Sequence, residues 1–384
     1  MTNVFSISRA SESSEAKMSS ETLQSGIARH WQSAPPSSTS RFSLIDLAEH
    51  GRIPDVLLRA GIRRLCAQRL RDEHAGDVTR AWERSRSLLQ QLRESPIAIE
   101  TDAANVQHYE LPPRFFELCL GQRLKYSACW WDNSTPDLDA AEMRMLAIYC
   151  ERAELADGQA ILELGCGWGS LSLWMAECYP NARITAVSNS ALQRGHIETQ
   201  CHRRGIRNLR VITQDVNRLV LEAGQFDRTV SIEMFEHMRN YETLLARVAS
   251  WLKPNGKLFV HIFCHRELMY PFETEGDDNW MGRYFFTGGL MPAADTLLHF
   301  QRDLTIEQQW RLSGTHYKKT ANAWLVNQDS HSDEILRVLT ATYGEAAAKL
   351  WQQRWRMFWM ACAELFGYRG GNEWMVGHYR FARR

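Results

Sequence analysis

Ala160-Ile161-Leu162-Glu163-Leu164-Gly165-Cys166-Gly167-Trp168-Gly169-Ser170 is the stretch on which the fold turns. An apolar run of strand length ends in three glycines at alternate positions, and a helical pattern opens directly after them. Glycine at such a turn tolerates positive φ and lets a ligand approach bare backbone. Tight strand–helix turns also use glycine for purely structural reasons, so the triplet needs support from its surroundings. Apolar strands at Ile184–Val187, Leu209–Thr213, Phe226–Ile232 and Lys257–Phe263 provide it. They alternate with helical patterns over Ser170–Cys178, Ala191–Arg204 and Tyr241–Leu252. This rhythm predicts an α/β fold built on a doubly wound, mostly parallel sheet.

The glycine spacing is GxGxG, whereas dinucleotide folds use GxGxxG. The second strand ends Val187-Ser188-Asn189-Ser190, without the acid that grips the ribose of NAD. A nicotinamide dehydrogenase is thereby disfavoured.

Composition excludes several classes. The 384 residues are 44% hydrophobic and 23% charged, with 45 basic residues against 45 acidic ones. A zero net charge argues against a general nucleic-acid binder, which needs basic excess to neutralise phosphate. The nine cysteines form no CxxC pair, which speaks against a zinc ribbon, an iron–sulfur cluster or a disulfide framework. His261, Cys264 and His265 lie on or after a strand with no fourth ligand nearby, so no metal is expected. No apolar run approaches the roughly 18–20 residues of a membrane span, and the first residues lack the order of a secretory signal. A cytoplasmic location is expected, without stable membrane insertion.

Four regions follow. Residues 1–42, rich in Ser, Glu, Gln and Pro, read as a disordered tail. Residues 43–140 read as a helical N-terminal region covering the active site. Residues 141–265 hold the strand–helix core, and 266–384 a substrate-binding cap with the C-terminal elements. Arg59, Arg63, Arg64, Arg69 and Arg71 form a basic face that suits either solvent or an acidic partner. Trp351, Trp355, Phe358, Trp359, Cys362 and Phe366 recur at steps of three and four. Such a stripe suits a core face, and part of it can equally line a substrate chamber. Asp277–Phe286, with Trp280, Tyr284, Phe285 and Phe286, reads as a lid over the ligand.

The glycine loop resembles that of class I S-adenosylmethionine-dependent methyltransferases, which implies a Rossmann-like core. Gly165-Cys166-Gly167-Trp168-Gly169-Ser170-Leu171 with a Ser/Asn-rich second loop resembles the cyclopropane-fatty-acid synthase group in particular. Within it the similarity is greatest to the coclaurine N-methyltransferase branch. Matching segments include Lys125-Tyr126-Ser127, Ser231-Ile232-Glu233-Met234-Phe235-Glu236-His237-Met238, Asp277-Asp278-Asn279-Trp280 and Leu312-Ser313-Gly314-Thr315-His316-Tyr317. They span roughly 45–384. The resemblance implies S-adenosylmethionine as cofactor, held by Tyr126, Ser127, Glu163, Gly165, Gly167, Gly169, Asn189, Gln193, Asp215, Val216 and Glu233. It also implies a small-molecule amine as substrate, with homodimer formation left open.

Glu233, Glu236 and His237 follow the fourth strand, where the carboxyl ends of a doubly wound sheet face the ligand crevice. An alkylamine at neutral pH is mostly protonated and has no lone pair with which to attack. Carboxylates attract such a cation, and a nearby His or Glu can take its proton. By resemblance these three match the ExxEH triad that binds and deprotonates substrate. The alternative is structural: Glu236-His237 capping the helix near Tyr241. In lipid cyclopropane synthases the position of Glu233 is typically glycine, so Glu233 favours amine methylation over the alternative, a cyclopropane-fatty-acyl-phospholipid synthase. Two departures stand out. Ala128 replaces the family's cysteine after Tyr126-Ser127, and Cys362 aligns with a cysteine of the lipid enzymes.

Overall fold

A computed structural model of the chain describes residues 43–100 and 111–384. The tail expected over 1–42 lies outside the described residues. The quoted apolar run is strand β1 (Ala160–Leu164), buried at every position as a strand covered on both faces must be. Gly169 leads from it at φ +84 into α-helix Ser170–Cys178. Parallel strands β2 (Arg183–Ser188), β3 (Leu209–Thr213), β4 (Phe226–Ile232) and β5 (Leu252–His265) flank β1 in the order β3-β2-β1-β4-β5. Helices Ala191–Arg204 and Tyr241–Trp251 make crossovers. The first begins where Ser190 Oγ accepts the Gln193 N–H and ends at Gly205, in the left-handed region.

The strand–helix rhythm stops near residue 265, but the sheet does not. After a two-strand ribbon, β6 (Tyr270–Pro271) with β7 (Leu290–Met291), the chain returns as β8 (Leu304–Leu312) and β9 (Trp374–Arg383). β9 lies antiparallel between β5 and β8, completing seven strands. Residues 266–384 therefore supply two strands of the core sheet in addition to helices. β8 was hard to foresee because its buried ends flank a partly exposed polar centre, as at a sheet edge.

In the N-terminal region the helices are α1 (Leu44–Glu49), α2 (Asp55–Asp72), α3 (Val78–Glu94) and α4 (Pro113–Cys119). α5 (Leu138–Arg152) leads into the sheet. The helices already described become α6 (Ser170–Cys178), α7 (Ala191–Arg204) and α8 (Tyr241–Trp251); after them come α9 (Trp280–Tyr284), α10 (Thr315–Ser330), α11 (Ser332–Tyr343) and α12 (Glu345–Gly367). The basic face of α2 turns inward in part: Arg59 and Arg63 both pair with Glu364 of α12, at 2.8 and 2.7 Å. Arg69 bonds Glu73 and stacks on Tyr270. Arg59 and Arg63 thus dock one helix on another, while Arg64 and Arg71 face solvent.

The aromatic stripe of α12 is core. All six of its residues are buried, with Trp355 against Phe115, Phe358 stacked on Phe285 at 4.2 Å, and Trp359 against Trp324. Burying each such ring contributes roughly 1.5–3 kcal/mol. Phe366, at its end, stacks on Tyr317 at 4.2 Å and so fixes a residue of the site. All nine cysteines are free thiols. Among the described residues, no helix is long and apolar enough to cross a membrane, and no three His, Cys, Asp or Glu side chains are grouped to hold a metal ion.

Candidate active site

A cleft enclosing about 800 Å³ of space open to solvent lies at the carboxyl ends of β1, β2 and β4. Gly165, Gly167, Asn189, Gln193, Val216, Glu233 and His237 line it, with Met234, Met238, Thr287 and Gly288 among the others.

The glycines do different work. Gly165 has φ +77, and a Cβ there would stand 2.7 Å from the Met234 Cβ. Gly169 has φ +84 and is closed in by Ile197 at 2.6 Å. Gly167 has φ +52 with nothing within 4 Å of its missing Cβ, so its bare backbone faces open space in the cleft wall. Gln193 supplies the clearest sign of a ligand site. Ser188 Oγ donates to its Oε1 at 2.6 Å, while its buried Nε2 donates to nothing. A buried amide of this kind demands a partner, and a hydroxyl- and amine-bearing nucleoside such as S-adenosylmethionine provides acceptors for it. The residues present fit that cofactor.

Other expected contacts sit behind or beside the cleft lining. Glu163, 2% exposed, accepts from Ser172 Oγ at the start of α6, behind the glycine loop. Burial pushes its carboxyl up to about 8, with the Ser172 hydroxyl opposing. Asp215, half-buried between the lining residues Gln214 and Val216, accepts the Asn217 N–H at 2.6 Å. Tyr126 packs among Phe116, Trp324 and Trp359, and Ser127 Oγ accepts from Lys125 Nζ at 2.6 Å. Glu142 shapes this loop by accepting the backbone N–H groups of Gly121, Arg123 and Lys125.

Glu233 is the best-held group of the site. Its backbone lies in the left-handed region at φ +46, which costs a non-glycine residue about 1–2 kcal/mol. Its Oε1 accepts the Ala128 N–H and His261 Nε2–H, both at 2.9 Å, and its Oε2 accepts the Tyr317 hydroxyl at 2.8 Å. Burial holds its carboxyl above the usual range, with Lys125, the Ala128 N–H and the Tyr317 hydroxyl opposing it in part.

Glu236 and His237 form a short 3₁₀ turn after β4. They do not cap the following helix: Asn240 does, accepting the Thr243 N–H. Glu236 Oε1 accepts the Phe263 N–H at 2.8 Å, while its fully buried Oε2 has no partner. Burial, and then the neighbouring Glu233, hold its carboxyl well above the usual range. His237 is half-buried, lines the cleft and stacks on Phe286 at 5.9 Å. Burial lowers its imidazole to about 4, leaving it neutral at physiological pH. The segment expected as a lid reaches the site here, with Phe286 on His237 and the next residues, Thr287 and Gly288, in the cleft wall.

His261 and Tyr317 were missed as site residues. The signal for His261 is an imidazole inside Phe259-Val260-His261-Ile262-Phe263, which must find a buried partner. That partner is Glu233.

A family model described as mycolic acid cyclopropane synthetase matches residues 98–372. The (S)-coclaurine N-methyltransferase of Thalictrum flavum subsp. glaucum is 35% identical over 345 residues, which are 89% of this chain and 95% of that protein. A crystal structure of a coclaurine N-methyltransferase bound to N-methylheliamine and SAH superposes with a TM-score of 0.85 at 36% identity. It covers 88% of this chain and 98% of its own. The cyclopropane-fatty-acyl-phospholipid synthase of Escherichia coli strain K12 is more distant, at 28% identity over 66% of this chain and 65% of that enzyme.

Proposed function

Since the chain belongs to the mycolic acid cyclopropane synthetase family and is an S-adenosylmethionine-dependent methyltransferase, we propose that it N-methylates a small aralkylamine or tetrahydroisoquinoline-like amine. Glu233, Glu236 and His237 handle the substrate nitrogen. The observation that carries this reading is Glu233: a carboxylate in left-handed backbone, fixed by three donors, in the wall of the cleft.

S-adenosylmethionine, when bound, supplies an electrophilic methyl group on a sulfonium. Gln193 Nε2 and the open backbone at Gly167, beside Gly165, would hold it, with Met234 and Met238 forming an apolar part of the same wall. Glu233 draws the substrate ammonium inward. Glu236, buried behind the cleft lining with its Oε2 unpartnered, passes its own proton through His237 to solvent as the cation arrives and then accepts an ammonium N–H. His237, neutral above about pH 4, takes the proton or passes it outward. Burial also depresses the ammonium's own pKa, which narrows the gap between donor and acceptor. Fixing the freed nitrogen in line supplies much of the remaining rate.

A synthase acting on a phospholipid alkene has no ammonium to receive, and a strained carboxylate at position 233 would then serve nothing. Initial rates with labelled S-adenosylmethionine and a panel of primary, secondary and tertiary aralkylamines test the proposal. Methylated amine is expected; a panel left unmethylated throughout overturns it.

A further inference from the structure

Behind Glu233 a chain of buried side chains runs back through the sheet to its edge. His261 Nε2 on β5 lies 2.9 Å from Glu233 Oε1. Its Nδ1 lies 2.9 Å from His378 Nε2 on β9 and 2.9 Å from the Tyr149 hydroxyl on α5. His378 Nδ1 in turn lies 2.7 Å from Arg152 Nη1, whose guanidinium covers the Trp310 ring at the sheet edge. His261 and His378 are fully buried, and β5 and β9 pair them directly across the ladder.

A guanidinium can only donate. His378 Nδ1 is therefore an acceptor, and a neutral His378 carries its hydrogen on Nε2. That hydrogen points at His261 Nδ1, which must accept it. His261 then carries its own hydrogen on Nε2, aimed at Glu233. One donor-only group at the edge thus sets every proton in the line, and all of them point toward the cleft. A proton added to His261 would set N–H against N–H, so His261 is a fixed donor and cannot be the base.

We propose that Arg152, His378 and His261 are positioning residues that lock the His261 tautomer and thereby keep Glu233 an anion for the incoming ammonium. The consequence for substrate rests on the amine reading above; the tautomer relay does not. Burial works in the same direction, holding both imidazoles well below their ordinary range. The charged and titratable groups facing the Glu233–His261 pair are Lys125 and Cys129 from the loop before α5, Tyr149 and Arg152 on α5, Glu236 and His237 after β4, Tyr317 on α10 and Cys362 on α12. Among the described residues, only the Arg152–His378 arm leads from the pair to a group at the edge of the sheet that cannot accept a proton.

The test has two arms. In the ligand-free full chain labelled with ¹⁵N-histidine, long-range proton–nitrogen correlation spectra should report neutral Nε2–H tautomers at His261 and His378 from pH 6 to 8. An Nδ1–H tautomer or an imidazolium at either overturns the relay. With one accepted amine, His378→Leu should move the acid limb of kcat/KM upward by roughly one pH unit through KM, with recovery at alkaline pH. His378→Gln, which can still accept from Arg152 and donate to His261, should leave that limb in place. If His378→Leu does not fold, Arg152→Met against Arg152→Lys makes the same comparison from the sheet edge. An unmoved limb in the folded apolar variant overturns the positioning role. If no amine is accepted, the substrate reading fails, and the tautomers alone uphold or overturn the relay.

Discussion

Replacing Glu233 by glutamine keeps the side chain's shape and removes its charge. The amide oxygen can still accept from Ala128 N–H and His261 Nε2–H, both now made to Oε1. The amide nitrogen then faces the Tyr317 hydroxyl, which must rotate and accept. That rearrangement should cost stability only about 0.5–1.5 kcal/mol. The loss of charge matters more for substrate. An ammonium about 4 Å from a carboxylate, at an effective dielectric near 20, gains about 4 kcal/mol before desolvation is subtracted. Desolvation of the ion leaves a net close to that of a hydrogen bond to a charged group, about 1.5–3 kcal/mol. Amine affinity should therefore fall about 10- to 150-fold. The assay is calorimetric titration of the amine into full-length protein saturated with S-adenosylhomocysteine, wild type against Glu233→Gln, with thermal melts confirming the fold. Affinities within twofold of each other would refute the assignment of Glu233 as the ammonium's counterion.

His237→Ala should slow turnover by roughly 10²–10⁴-fold while leaving cofactor affinity nearly unchanged, and alkaline pH should partly restore it because more amine arrives deprotonated; steady-state rates from pH 6 to 9 check both. Gly167→Val should abolish S-adenosylmethionine binding in calorimetry while circular dichroism stays native, because its side chain enters space that is now open. Gly165→Ala should destabilise as well, by about 1–2 kcal/mol from its positive φ alone, with the Met234 contact adding to it. Glu163, raised to about 8 in the fold, binds a proton that the unfolded chain releases above about 4.5, so it detracts from stability increasingly between those pH values. Glu163→Gln should accordingly raise the melting temperature at pH 8, by an amount equivalent to a few kcal/mol, and change it little at pH 4.

What was legible in the sequence was what lay close together along it. β1, the glycine turn and α6 occupy one uninterrupted stretch, so a run of apolar residues and three glycines specified strand, ligand wall and helix start. Glu233, Glu236 and His237 were legible for the same reason, since they fall within one turn after β4. The residues that hold Glu233 were not local. His261 is 28 residues away in sequence and Tyr317 is 84, and His378 stands 117 residues beyond His261. Periodicity carries no information about such pairs. A polar residue within a buried strand was the one available signal, and it said only that a partner must exist. β8 and β9 were obscured by the excursion through α10, α11 and α12 that separates them, and by aromatic residues that suit a cap as readily as a strand. The basic face of α2 misled in another way. Charge on a helix face predicts solvent or a partner, and here Glu364 of the same chain is the partner.

The methyl acceptor is an amine nitrogen and not an alkene carbon. One competition experiment tests it most directly: the full-length protein is given methyl-labelled S-adenosylmethionine together with a tetrahydroisoquinoline amine and vesicles of unsaturated phospholipid, and the label is followed into each. Label is expected on the amine nitrogen, growing with pH through the neutral range, and none in the acyl chains. Label in the acyl chains with an unmethylated amine would contradict it.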